Sequence, residues 1–186
     1  MNNDIKSVLY HESTILSRLD QMAAQITKDY DDKEFTVISI LNGSFIFMAD
    51  LLRRIQLPLQ LDCWSVSSYH GTKSTGKIVY RQHDVADVTN RHVLLLDDIL
   101  DSGLTISTIK TNLLDTKGAK SVKVCVLLCK EVERKVKVEA DYVGFNIGKE
   151  FVVGYGLDYN ERYRNLPYIG VLKESVYSNN EKKVAK

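Results

Sequence analysis

Val93-Leu-Leu-Leu-Asp-Asp-Ile-Leu-Asp-Ser-Gly-Leu-Thr105 is the stretch that decides the reading of this chain. Its apolar start, Val93 to Leu96, lacks alternation and predicts a strand buried on both faces, as in a parallel sheet. The run leads straight into two adjacent carboxylates, Asp97 and Asp98. A third follows at Asp101, then the turn Ser102-Gly103-Leu104-Thr105, and then a helical pattern. Backbone N–H groups and two hydroxyls at the start of a helix make a natural anion cradle. Asp and Ser are also ordinary helix caps. A cap uses only one such residue, however, and leaves Asp97 and Asp98 unexplained. Three acids beside an anion cradle would repel a bare phosphate. They suit a ligand that also brings ribose hydroxyls, a divalent cation and a proton to be moved, and a phosphorylated ribose with a magnesium-bound diphosphate meets all three needs.

The flanking chain alternates strands and helices. Ser13 precedes a helical stripe of Ile15, Leu16, Leu19, Met22, Ala23 and Ile26. A strand is predicted over 37–41, a turn at Asn42-Gly43-Ser44, and a helix from about Phe45 to Arg54. Pro58 ends that pattern, and 61–67 reads as a strand. From Tyr69 to Lys77 the chain is polar and suggests a mobile loop whose flanks can pair as a hairpin. After the acidic motif, Ile106, Ile109, Leu113 and Leu114 are expected on one helix face, with Gly118 as a C-terminal cap. Another strand is expected over 122–129, and short strand-like pieces over 142–145, 151–155 and 169–172. The segment from 178 to 186 is a polar tail. The expected fold class is α/β, with a central, mainly parallel sheet flanked by helices. With no internal repeat and no linker, residues 1–186 are expected to form one domain.

Composition excludes several classes. Among the 186 residues, 25 are basic and 24 acidic, so a net charge of +1 gives no global field for nucleic acid or membrane. An apolar content of 44% fits a folded enzyme rather than a disordered chain. No apolar run approaches a membrane span, and the start Met-Asn-Asn-Asp-Ile-Lys does not resemble a signal peptide. The three cysteines cannot all pair within the chain; Cys125 and Cys129 lie in an apolar run without zinc-site spacing. A reducing cytoplasm is the expected setting.

The acidic motif closely resembles the phosphoribosyl-diphosphate motif of the type I phosphoribosyltransferases. Ile40-Leu-Asn-Gly-Ser-Phe45, Ser68-Tyr69, Lys130 and Phe151-Val-Val-Gly-Tyr-Gly-Leu-Asp-Tyr-Asn-Glu-Arg-Tyr-Arg164 narrow the resemblance to the hypoxanthine-guanine phosphoribosyltransferases, over about 37–171. The resemblance implies a small hood, mainly from the N-terminus and about 140–175, and a flexible lid over about 65–80. It implies homodimers or homotetramers, Mg²⁺, and a 6-oxopurine and 5-phosphoribosyl 1-diphosphate as substrates.

It also assigns roles. Asp97 and Asp98 would receive the ribose hydroxyls, directly or through magnesium. Asp101 would be the catalytic proton-transfer residue near purine N7, its pKa raised by the neighbouring acids. Ser102, Gly103, Leu104 and Thr105 would wrap the 5′-phosphate. Leu41-Asn42-Gly43-Ser44 resembles the pyrophosphate loop, although many members carry lysine where Asn42 stands, so anion binding here falls to backbone amides. Ser68 and Tyr69 match the lid that keeps water from a reactive ribosyl cation. Lys130 would contact purine O6, Phe151 would stack on the base, and the Val152 backbone would read its edge. Asp158, beside the purine, would bind magnesium carried by the diphosphate, and Arg164 the diphosphate itself.

Two rivals remain at this level. One is the same reaction on xanthine or adenine. The other is a non-catalytic regulator that binds nucleotide and nucleic acid, which usually wants a basic face or an added module.

Overall fold

The structure, a computed structural model, describes residues 1–67, 79–80, 86–134 and 136–178. In chain order it contains β1 (Ile5–Tyr10), α1 (Glu12–Asp29), β2 (Phe35–Leu41), α2 (Phe45–Leu52), β3 (Gln60–Ser67), β4 (Val79–Tyr80), β5 (His92–Leu100), α3 (Leu104–Thr111), β6 (Ser121–Lys130), β7 (Tyr142–Ile147), β8 (Val152–Val153) and β9 (Ile169–Leu172). Six strands form the main sheet in the order β4-β3-β2-β5-β6-β7. All of its pairings are parallel except β3–β4. The expected α/β fold with a mainly parallel sheet is what the chain adopts.

The unalternated run in β5 has the cause inferred for it. Leu94 and Leu96 pack with Ile15, Leu19, Ile26, Phe47 and Leu51 of α1 and α2 on one face. Val93 and Leu95 pack with Ile106, Ile109 and Leu113 on the other. All four residues of the run are 0% exposed, and each contributes about 1.5–3 kcal/mol by burial. Covering both faces is what allows a parallel sheet to exclude water from its backbone.

Several boundaries differ from expectation for identifiable reasons. Helix α1 begins at Glu12 with His11 as its cap, so Ser13 lies inside the first turn. After α3 the chain makes a π-helical turn over Asn112–Thr116. The wider turn rotates Leu114 off the buried face, leaving it 38% exposed while Leu113 is fully buried. Gly118 does close the helix, with φ of 68°, and the Ala119 N–H donates to the Leu113 carbonyl at 2.9 Å. Strand β1 carried no readable pattern. Four of its six residues are exposed, and its pairing is with β9.

The second sheet, β1-β9-β8, joins the N-terminal segment to the later part of the chain. Residues 142–147 do not belong to it. They form β7 at the edge of the main sheet, which corrects the expected hood boundary of about 140. The strand-like piece expected over 151–155 shortens to Val152–Val153, because Gly154 turns the chain at φ of 98°. Ser68, Tyr69 and most of the lid lie outside the described residues, as does the tail from 179. At the lid's described flanks β3 and β4 pair as expected, Val66 with Tyr80 and Ser67 with Val79. The buried Asp62 carboxylate ties this region together, accepting from Trp64 Nε1 at 2.9 Å and from the Ala86 N–H at 3.0 Å.

One side chain fastens edge strand β7 to α1 through two backbone carbonyls. Arg18 of α1 donates through Nε to the Gly144 carbonyl at 2.9 Å and through Nη2 to the Val143 carbonyl at 2.7 Å. These two charge-assisted bonds need the planar guanidinium fork. Arg18→Ala is expected to cost about 1–3 kcal/mol, and Arg18→Lys to recover little of it. Thermal or denaturant unfolding checks this, and a lysine variant as stable as wild type would contradict it.

Candidate active site

The parallel strands end at one edge of the main sheet, and the chemistry gathers there. β2 leads into Asn42-Gly43-Ser44, β5 into Asp101-Ser102-Gly103, β6 ends on Lys130, and β7 precedes Phe151. The chain runs from β2 outward to β3 and then crosses back to β5, so strand order reverses between β2 and β5. In open α/β sheets ligands bind outside the carboxyl ends of the strands at such a reversal.

Glycine backbone closes the seam at this point. A Cβ at Gly43 would lie 1.7 Å from Asp98 Oδ2, and a Cβ at Gly156 would lie 2.1 Å from the Gly43 carbonyl oxygen. Gly43 is therefore held between the Asp98 carboxylate and the Gly156 backbone. Gly156 also has φ of 103°, a conformation that L side chains rarely adopt. Three segments far apart in sequence thus meet without an intervening side chain. The peptide between Leu41 and Asn42 is cis.

The Ser44 side chain folds inside the turn. Its hydroxyl is 0% exposed, lies 2.8 Å from Ser39 Oγ and donates to the Ile40 carbonyl. It stiffens the turn that carries the backbone amides of 42–44.

The acids sort into two groups. Asp97 and Asp98 are half-buried side by side, and Asp97 Oδ1 accepts the Asp98 N–H at 3.0 Å. Burial raises the Asp97 carboxyl well above the usual carboxylate range, and the charge of Asp98 adds to it. Burial also raises Asp98, opposed by its hydrogen bond with Asp97 and, more weakly, by the Arg164 charge. Asp101 is different. Its side chain is 53% exposed, and its Oδ2 pairs with Lys130 Nζ at 3.1 Å. The acid crowding expected around it is replaced by an ammonium partner. Arg134 steadies the end of β6 by donating to the Lys130 carbonyl at 3.1 Å.

The start of α3 lacks a side-chain cap. Gly103, at φ of 77°, caps α3 with no side-chain capping bond. The nearest substitute is a long 3.5 Å contact from the Leu104 N–H to Ser102 Oγ, so the amides of the first turn are not claimed by an aspartate cap. Residues 97–103, Thr105 and Ile106 line a cavity of about 230 Å³ at this helix start. The Leu104 side chain does not line it and is 45% exposed, which leaves Leu104 only its backbone for the cradle.

The segment 151–164 is a succession of tight turns. Gly156 N–H donates to the Arg164 carbonyl at 2.9 Å, and Arg164 Nη1 returns a bond to the Gly156 carbonyl at 2.9 Å. Arg164 Nη2 also pairs with Asp158 Oδ1 at 2.9 Å and Glu161 Oε2 at 3.0 Å. Asp158 Oδ2 accepts the Glu161 N–H at 2.9 Å. Asp158 is thus occupied in its own turn. Among the described residues no three His, Cys, Asp or Glu side chains converge on one metal position, so Asp158, Asp97 and Asp98 do not form a single ligand cluster.

Val152 stands on β8, the edge strand of the second sheet, and Phe151 immediately precedes it. The Leu172 N–H donates to the Phe151 carbonyl at 2.9 Å, and Val152 is opposite Val171. Antiparallel pairs alternate in hydrogen bonding, so the N–H and C=O of Val152 face the free side of β8. Phe151 is 37% exposed, which fits a surface awaiting a partner better than it fits core. Sequence reasoning missed two neighbours of this ring, Tyr159 and Tyr177. Their centroids lie 5.6 Å and 5.4 Å from that of Phe151. No spacing rule links these positions, because the turn after β9 brings Tyr177 back.

Comparison with known proteins agrees with this geometry. Residues 7–160 match the phosphoribosyl transferase domain. A hypoxanthine-guanine phosphoribosyltransferase of Streptococcus pneumoniae is 48% identical over 180 residues, covering 96% of this chain and 99% of that protein. The namesake protein of Staphylococcus aureus is 48% identical, covering 96% and 100%. The crystal structure of a hypoxanthine phosphoribosyltransferase from Staphylococcus aureus superimposes with a TM-score of 0.90 at 48% identity, covering 96% of this chain and 97% of that one. With its acidic motif, its seam and its turn-rich segment 151–164, the chain belongs to the phosphoribosyltransferase family, and within it to the hypoxanthine-guanine phosphoribosyltransferases.

Proposed function

We propose that this chain transfers the 5-phosphoribosyl group from 5-phosphoribosyl 1-diphosphate to N9 of hypoxanthine or guanine, giving IMP or GMP and pyrophosphate. The observation that carries the choice of base is the Lys130–Asp101 pair, 3.1 Å apart at the carboxyl ends of β6 and β5. O6 and N7 are neighbours on one edge of a 6-oxopurine. The ammonium suits the O6 acceptor, because it donates hydrogen bonds and accepts none. The carboxylate suits an N7 that carries the proton when N9 attacks. As the N9–C1′ bond forms and the bond from C1′ to diphosphate breaks, that proton passes from N7 to Asp101.

The remaining residues position the reactants. The cradle at 102–105 takes the 5′-phosphate. Asp97 and Asp98 take the ribose hydroxyls. The backbone at 41–44 and the Arg164 guanidinium hold the diphosphate, and Phe151 with the Val152 backbone holds the base. Ser68 and Tyr69, outside the described residues, keep the lid role that the resemblance implies.

Magnesium fits this donor set. The Asp97–Asp98 pair is hard and oxygen-only, and burial raises both carboxyls, with the Asp98 charge adding to the rise at Asp97; a divalent cation would relieve this. Mg²⁺ binds through few protein groups and brings further ligands with it. Bound there with the diphosphate, and with Asp158 as a further carboxylate beside Arg164, it would neutralise charge on the leaving group.

Assembly as a homodimer or homotetramer and a cytoplasmic setting belong to the same reading. Cys63, Cys125 and Cys129 are all unpaired, which supports a reducing compartment. Among the described residues no helix is long and apolar enough to cross a membrane.

Purine bases assayed in parallel with 5-phosphoribosyl 1-diphosphate and magnesium test the proposal. Hypoxanthine and guanine are expected as substrates, with adenine about 10⁴-fold poorer in kcat/KM because its amino group leaves Lys130 unpaired. Lys130→Met should damage hypoxanthine use far more than binding of 5-phosphoribosyl 1-diphosphate. Equal use of adenine and hypoxanthine by wild type would remove Lys130 from recognition.

The acid pair yields a stability prediction. Because the Asp97 carboxyl is raised in the folded chain, folding opposes its ionisation. The resulting cost is absent below the unfolded carboxylate range and grows as pH rises through the folded pKa. Asp97→Asn should therefore raise the melting temperature of the ligand-free protein at pH 8, and the gain should shrink on acidification to pH 4. A variant less stable than wild type at pH 8 would show that Asp97 holds the fold together instead.

A further inference from the structure

We propose that Tyr177 is a positioning residue for the purine, acting through Phe151. The inference rests on the reading of Phe151 as the ring that stacks on the base, and it extends the site to the last described turn of the chain. The Tyr177 ring lies nearly parallel to Phe151, with centroids 5.4 Å apart and an interplanar angle of 29°. Tyr159 meets Phe151 at 90° with centroids 5.6 Å apart. It also packs against Tyr177, at 6.5 Å and 66°. Phe151 is thus one member of a three-ring cluster rather than a lone exposed aromatic.

The cluster is built to hold one ring still. Phe151 stands at the edge of the second sheet, where the bond from Leu172 fixes only the backbone. A phenylalanine that is 37% exposed would otherwise sample several rotamers. With Tyr177 against one face, the ring is oriented before the base arrives, and the ordering cost is met during folding rather than on binding. Stacking of this kind favours offset, near-parallel rings at such distances.

Tyr177 is itself placed by the fold. Residues 174–178 form a helical turn after β9, started by the Val176 N–H donating to the Lys173 carbonyl at 2.9 Å. Lys173 ties that turn to the N-terminus. Its N–H donates to the Asp4 carbonyl at 2.9 Å, and its Nζ to the Asn3 carbonyl at 2.6 Å. Val176 and Tyr177 pack on the apolar cluster of Val153, Tyr163, Leu166 and Leu172. Tyr163 in turn donates to Asp4 at 3.1 Å. The N-terminal turn, the C-terminal turn and the base-stacking ring therefore form one mechanical unit.

The test is a double-mutant cycle on the full chain, read as separate KM values for hypoxanthine and for 5-phosphoribosyl 1-diphosphate. Tyr177→Ala is expected to raise the hypoxanthine KM about 2- to 10-fold, with the 5-phosphoribosyl 1-diphosphate KM and kcat little changed. Tyr177→Phe should restore wild-type values, because the stack and not the hydroxyl carries the effect. In a Phe151→Ala background Tyr177→Ala should add nothing. If Tyr177→Ala lowers the yield of folded protein, Tyr177→Leu keeps the packing volume without the stack and should show the same selective rise. A silent Tyr177→Ala beside an impaired Phe151→Ala would overturn the proposal, and so would additive losses or equal changes in both KM values. If Phe151→Ala is itself silent, the base-stacking reading fails first and this inference falls with it.

Discussion

The close approach of Gly43 to Asp98 and Gly156 is the contact on which the rest of the site depends. It lies where strand order reverses, between the carboxyl ends of β2 and β5. A side chain at either glycine would collide with a carboxylate oxygen or a carbonyl oxygen. Their absence lets the Gly43 backbone, the Asp98 carboxylate and the Gly156 backbone meet directly. Around that seam the charges are arranged in opposition. Asp97 and Asp98 repel each other, Arg164 offsets part of that charge, and Asp101 is matched by Lys130. Burial holds both carboxyls of the pair above the usual carboxylate range, and in the proposed complex a divalent cation would offset their charge.

Much of this was legible in the sequence because the signals were local. The run Val93–Leu96 has no alternation because helices cover both faces of β5. The change from apolar to acidic at Asp97 marks the point where that strand leaves the core. Gly103 and the hydroxyls beside it announced a helix start without a conventional cap, and the structure has one. The family resemblance supplied the roles of Lys130, Phe151 and Arg164, which no spacing could have given.

What escaped the sequence was non-local. Strand β1 is mostly exposed and shows no periodicity; only β9, brought up from the far end of the chain, makes it a strand. Residues 142–147 joined the main sheet because β6 offered a free parallel edge. The inward fold of the Ser44 hydroxyl onto Ser39 had no local signal either. Leu114 left the buried face because the helix widened into a π turn, which depends on packing rather than on composition. Tyr177 was invisible for the same reason as β1, since its partner ring lies in another segment.

Kinetics of Gly43→Ala test the central claim most directly. The added methyl meets the end of the flexible Asp98 side chain, so the fold should survive, as judged by circular dichroism and melting temperature. The displaced carboxylate should no longer serve the ribose and the diphosphate, and kcat/KM for 5-phosphoribosyl 1-diphosphate should fall about 10²-fold or more. A folded Gly43→Ala protein with wild-type kcat/KM would contradict the account, because the seam would then be a feature of packing and not of catalysis.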